Sequence, residues 1–260
     1  MADSTGSTIN RDPDRHGEIV FGAPLKWRSH SFRWTARLLA KGVFWRYFKM
    51  KVVNGHHIPE TGPVIIAPSH RSNLDTPMIG VAFPRWMRFM AKESMFKSPF
   101  WSQFLTGLGG FPVKRGTLDR RALTNALEIL ERGEALTIFP EGARQEGPRI
   151  KPIFEGAVWI ASRSNVPIVP VGIGGSANAQ PIGVKIPRPT PVHFFVGEPM
   201  APPRPLPGRK RVGREQLDDF ASELRERLQE LFDEAQASVG SPNGEWADAD
   251  DERRQPWDER

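Results

Sequence analysis

Short apolar runs separated by amphipathic stretches set the pattern of this chain. Val64 to Ala67, Arg88 to Ala91, Ala135 to Phe139, Ile168 to Ile173 and His193 to Val196 have the length and residue types of strands. Asp119 to Arg132 places Leu123, Leu127 and Leu130 on one helical face and stops at Gly133. Arg214 to Ala237 repeats Leu217, Phe220, Leu224, Leu228 and Leu231 at helical spacing. Helices are also predicted at Ser29 to Met50, Thr76 to Phe83, Ser98 to Leu108 and Ile153 to Ser164, with a Gly109-Gly110 turn leading into Phe111-Pro112-Val113. Strands alternating with helices predict an α/β fold: a single domain with a mixed, largely parallel sheet flanked by helices. Chemistry in such sheets sits where strand ends turn into loops.

Charge placement adds a boundary. No Asp or Glu occurs between Ile19 and Pro59, whereas Arg33, Arg37 and Lys41 form an i, i+4 stripe there. Trp34, Leu38, Trp45 and Phe48 recur at helical spacing beside them. Residues 19–51 therefore read as a basic amphipathic helix suited to a bilayer interface and its anionic lipids. Residues 1–18 and 238–260 are polar or charged without apolar periodicity and read as disordered ends, leaving 52–237 as the domain. The same segment could serve nucleic acid, but no nucleic-acid motif accompanies it, so that partner is not expected.

The chain of 260 residues has no cysteine, which excludes a disulfide scaffold, a thiolate nucleophile and a Cys-ligated metal. No apolar run approaches the ~18 residues that span a bilayer. No secretory signal is visible, and the expected location is the cytoplasmic face of the cell membrane, held peripherally.

Two segments carry the candidate chemistry. Ser69-His70-Arg71-Ser72-Asn73-Leu74-Asp75 follows one apolar run and Phe139-Pro140-Glu141-Gly142-Ala143-Arg144 follows another. On one continuous helix Asp75 would be rotated about 140° from His70. The segment must turn, with His70 in a loop and Asp75 in the first helical turn, where its carboxylate can fix the imidazole tautomer and leave the other nitrogen as a base. Ser72 to Asp75 also has a capping-box pattern, which explains the same residues without catalysis. Gly142 permits a tight turn, Arg144 offers a fork for phosphate, and Glu141 could accept from a hydroxyl or hold the arginine. Lys114 and Arg115 add cations after Gly109-Gly110.

Taken in order, these segments resemble the PlsC-type glycerolipid acyltransferases, the 1-acylglycerol-3-phosphate O-acyltransferase family. His70 and Asp75 match its first block, Gly109 and Arg115 its second, Phe139 to Gly142 with Arg144 its third, and Val166 to Val171 its fourth. The resemblance covers about Val52 to Glu198. It implies that a fatty acyl group passes from acyl-CoA or acyl-carrier protein directly to the hydroxyl of 1-acylglycerol-3-phosphate, giving phosphatidic acid. His70 would be the general base and Asp75 its helper, with Arg115, Glu141, Gly142, Arg144 and Lys114 on the acceptor. No cofactor or metal is required. Ser69 stands where the family has asparagine, Ala143 where it has threonine, and Ile153-Phe154-Glu155 where it often has a lysine. The last departure leaves open another lyso-lipid or a lipid-linked sugar as acceptor. A non-catalytic membrane-binding relative is the other alternative. Gly174-Gly175-Ser176-Ala177-Asn178 narrowly misses a serine-hydrolase elbow, and Gly172-Ile173-Gly174 begins a relaxed dinucleotide fingerprint.

Overall fold

The computed structural model describes residues 41–98, 109–114, 119–209 and 211–243, with Thr35, Arg37, Leu38, Ser102, Leu105 and Thr106. Seven strands form its sheet: β1 (Lys51–Val53), β2 (Val64–Pro68), β3 (Met87–Lys92), β4 (Gly110–Val113), β5 (Ala135–Thr137), β6 (Ile168–Gly174) and β7 (His193–Val196). Their order is β1-β7-β6-β2-β5-β3-β4. Only β6 and β7 pair antiparallel; every other neighbouring pair is parallel. The continuous helices among the described residues are α1 (41–47), α2 (Asp75–Ala82), α3 (Arg120–Glu131), α4 (Glu155–Ser164), α5 (Ser176–Ala179) and α6 (Arg214–Ser238).

Side chains alternate across a strand, so a central strand feeds two cores. In β2, Val64 and Ile66 join a cluster with Phe48, Met78, Ile79 and Phe194, while Ile65 and Ala67 face Leu130, Ile160 and Leu224. The first core lies under α1 and α2, the second under α3, α4 and the first half of α6. Asp119 caps α3, its carboxylate accepting from the Ala122 N–H.

The structure departs from the expected pattern at β1, which was not expected as a strand, and at the start of the tail expected to be disordered, where Ser238 ends α6 and Asn243 donates to Asp233. It also departs at the sheet edge and in the basic segment. Phe111-Pro112-Val113 is part of β4 at the sheet edge, where a proline costs no ladder bond if its missing N–H would face outward. Most of the basic amphipathic segment lies outside the described residues. Within it, Arg37 is buried, not on an outer stripe, and donates to the carbonyls of Phe83 and Pro84 at the end of α2. Carbonyls at a helix end lack intrahelical donors, and Arg37 supplies them. Leu38 is exposed, and Phe44, Trp45 and Phe48 form the core-facing side instead.

Candidate active site

β2 and β5 are parallel neighbours, with Val64 opposite Ala135 and Ile66 opposite Thr137. Their C-terminal ends therefore emerge side by side, and two segments some 70 residues apart in sequence meet. Just past β2, the Ser69 hydroxyl accepts from the Ile173 N–H at 3.0 Å, tying the loop to β6. Serine thus fills this position by bracing the sheet.

Asp75 opens α2 and is fully buried. Its Oδ2 accepts from Nδ1 of His70 at 2.9 Å and from the backbone N–H groups of Arg71 and Ser72, both at 2.7 Å. The expected capping box does not form: the N-cap is Leu74, which makes no side-chain cap bond, and the Ser72 N–H bond instead braces the turn ahead of the helix. The turn before α2 and the imidazole are thus held by one carboxylate oxygen. His70 is 5% exposed, and its ring stacks on Phe139 with centroids 3.9 Å apart. Nδ1 is committed to Asp75, which leaves Nε2 as the nitrogen able to take a proton.

Glu141 was expected on a substrate hydroxyl or on Arg144. The structure places it elsewhere. It is fully buried, with Arg71 Nη1 at 2.7 Å and 3.0 Å from its two oxygens. It also accepts from the His70 N–H and the Lys151 N–H, both at 3.1 Å. A buried carboxylate needs a cation and several donors, and the adjacent arginine provides the cation. Arg71 was not singled out from the sequence. Its guanidinium also donates to the carbonyls of His70, Gly147 and Arg149, and lies over the Phe232 ring at 4.7 Å. From α6, Gln229 accepts from the Ile150 N–H at 2.7 Å and Arg225 donates to the Ile150 carbonyl at 2.9 Å, steadying the same loop.

Gly142 has φ of 69° and donates its N–H to the Phe139 carbonyl at 3.0 Å. A Cβ there would lie 2.4 Å from the Phe154 ring, so both conformation and space require glycine. Arg144 is half-buried and its side chain has no hydrogen bond or ion pair among the described residues. Lys114 is exposed, and Arg115 lies outside the described residues. A cleft of about 520 Å³ opens beside Arg71, lined also by Gln145, Pro148, Asn178 and Phe232, but not by His70, Asp75 or Arg144.

Other readings lose their footing. Ser176 is buried inside the fold and not presented on an exposed elbow. A Cβ on Gly172 or Gly174 would fall 2.2 Å from the α6 backbone at Leu231 or Ala235, so these glycines serve close helix–strand packing, not a cofactor. Among the described residues no cluster of His, Asp and Glu could hold a metal ion, and no helix is long and apolar enough to cross a membrane.

The block geometry agrees with a family match over residues 49–174, whose description is Acyltransferase. This chain carries an acyltransferase-family domain. A Bacillus subtilis 1-acyl-sn-glycerol-3-phosphate acyltransferase is 28% identical over 70% of this chain and 91% of its own length. The chloroplastic BAT2 of Brassica napus, also named a 1-acyl-sn-glycerol-3-phosphate acyltransferase, is 26% identical over 61% of this chain, which spans about half of that longer protein (46%). The crystal structure of the 1-acyl-sn-glycerophosphate acyltransferase PlsC from Thermotoga maritima superposes with a TM-score of 0.64, covering 86% of each chain at 24% identity, and shares the acyltransferase fold.

Proposed function

We propose that this acyltransferase moves a fatty acyl group from an acyl thioester to the free hydroxyl of 1-acylglycerol-3-phosphate, giving phosphatidic acid for phospholipid synthesis. The observation that carries the reading is the 2.9 Å bond from His70 Nδ1 to buried Asp75, which commits one ring nitrogen and leaves Nε2 for the acceptor. Nε2 takes the hydroxyl proton as the oxygen attacks the thioester carbonyl. Collapse of the tetrahedral adduct breaks the C–S bond, and the departing thiolate receives the proton from the imidazolium. Asp75 stabilises that imidazolium through Nδ1–H. Arg144, half-buried and without a side-chain partner among the described residues, takes the acceptor phosphate; Arg115 and Lys114 add positive charge. Glu141 acts through Arg71 and the His70 N–H, not on substrate. The donor is acyl-CoA or acyl-carrier protein, with no cofactor. The chain works peripherally on the cytoplasmic face of an anionic membrane, where residues 19–51 contact lipid.

A second acceptor class has one observation in its favour. Ile153-Phe154-Glu155 stands where the family often places a lysine, and Glu155 pairs with Arg214 at 3.0 Å. A panel of lysophosphatidic acid, other lysophospholipids and lipid-linked sugars, with palmitoyl and oleoyl thioesters, decides between them. Lysophosphatidic acid is expected to be the best acceptor. His70→Ala should lower the rate by roughly 10²–10⁴ in protein that remains folded, with a lowered melting temperature because the ring is buried on Phe139 and Asp75. Arg144→Ala should raise KM for phosphate-bearing acceptors without loss of fold. Undiminished transfer by pure His70→Ala protein would refute the general-base role.

A further inference from the structure

A second apolar and basic element stands beside α1, on a part of the chain far from the amphipathic N-terminal segment. The connection between α5 and β7 runs Pro181-Ile182-Gly183-Val184-Lys185-Ile186-Pro187-Arg188-Pro189. Ile186 is 80% exposed, between exposed Lys185 and Arg188. An isoleucine so fully in water loses what burial would gain, and two cations beside it do not suit a protein core.

The loop is fastened to the end of α1. Tyr47 donates to the Pro187 carbonyl at 3.0 Å, the Val192 N–H donates to Phe48 at 2.9 Å, and the Lys51 N–H donates to Val192 at 3.2 Å. Tyr47 (42% exposed) and Val43 (64% exposed) are one helical turn apart and share a face. Because Tyr47 touches Pro187, that face continues onto the loop. Lys41, Arg46 and Lys49 are exposed on the same helix and its end. The sequence keeps acids away from both parts: no Asp or Glu lies between Ile19 and Pro59, and none between Gly156 and Gly197. Apolar side chains with a tyrosine, flanked by cations and free of acids, match the interface of an anionic bilayer.

We infer that the Pro181–Pro189 loop is a second membrane-docking element, inserting Ile186 among lipid chains while Lys185 and Arg188 meet anionic head groups. It would act with α1 as one surface. The inference rests on the peripheral membrane reading given above, and the test separates the two.

The chain has no cysteine, so Ile186→Cys in the full-length protein can be labelled at one site with a polarity-sensitive nitrobenzoxadiazole dye. Vesicles of phosphatidylcholine with phosphatidylglycerol should shift its emission to the blue and raise its intensity, and pure phosphatidylcholine vesicles much less so. Lys185→Gln with Arg188→Gln should weaken sedimentation with the anionic vesicles by roughly thirtyfold, from about 1 kcal/mol per cation near such a surface. Ile186→Asp should weaken it to a similar degree while transfer between water-soluble short-chain substrates is unchanged. A chain that sediments with vesicles while the dye at 186 keeps its aqueous spectrum overturns the loop's role and spares the peripheral reading. A chain that fails to sediment at all overturns both. A dye response to an acidic carrier protein but not to vesicles assigns the surface to a protein partner and overturns the lipid assignment.

Discussion

Arg71 shows how one guanidinium can hold two loops in register. Its planar fork reaches Glu141 and the carbonyls of His70, Gly147 and Arg149, which a lysine's single ammonium could not do. Glu141 in turn holds the His70 N–H, so the pair sets where the imidazole sits. Arg71→Met leaves the Glu141 carboxylate buried without its cation, at an expected cost of about 3–5 kcal/mol. The Arg71→Met/Glu141→Gln double variant should lose less than the sum of the single losses, measured by urea unfolding. A positioning role also requires Arg71→Met to lower kcat more than it raises acceptor KM, with partial recovery in Arg71→Lys. Sum-additive losses would disprove the coupling. His70 and Asp75 could be read from spacing, because a five-residue separation with a helix start admits few geometries. The Arg71–Glu141 pair could not, because it joins positions 70 residues apart.

Packing of α6 on β6 decides the shape of the second core. Strand alternation puts Val169, Val171 and Ile173 in the first core, and Pro170, Gly172 and Gly174 on the α6 side. Without side chains at Gly172 and Gly174, the helix backbone comes close enough for Leu224, Leu228 and Phe232 to be buried. A Cβ at 174 would meet the Ala235 carbonyl at 2.2 Å, so Gly174→Ala should cost about 1–3 kcal/mol or more, read as a lowered thermal midpoint. A midpoint equal to the parent's would show that α6 can shift away freely. Both elements were evident from their periodicity. Their close approach was not, since a Gly-x-Gly pair in sequence does not say which backbone comes near it.

At the scale of the whole molecule, the last strand and the last helix are joined near the sheet's end by His193, whose Nδ1 lies 2.8 Å from the Ser238 hydroxyl. Burial, and then the nearby Lys51 charge, lower its pKa from the ordinary 6.5. The folded state thus favours the neutral ring. Its contribution is complete above pH 6.5 and is lost as pH falls below that value, because the unfolded chain binds the proton first. Denaturant unfolding at about pH 7.5 and about pH 5 should show the parent losing more stability than His193→Gln; an equal loss would remove His193 from the account. What the sequence by itself determined was local: the apolar runs and their periods, the turn between His70 and Asp75, the glycine of the Phe139–Arg144 loop and the acid-free basic segment. These follow from residues within a few positions of one another, where backbone geometry leaves few choices. Tertiary structure alone decided that β2 and β5 lie side by side, that Glu141 belongs to Arg71, that Arg37 turns inward to a helix end and that Ile186 stands beside α1. Each of these depends on sheet order, and strand pairing between distant segments is chosen by the packing of the whole core.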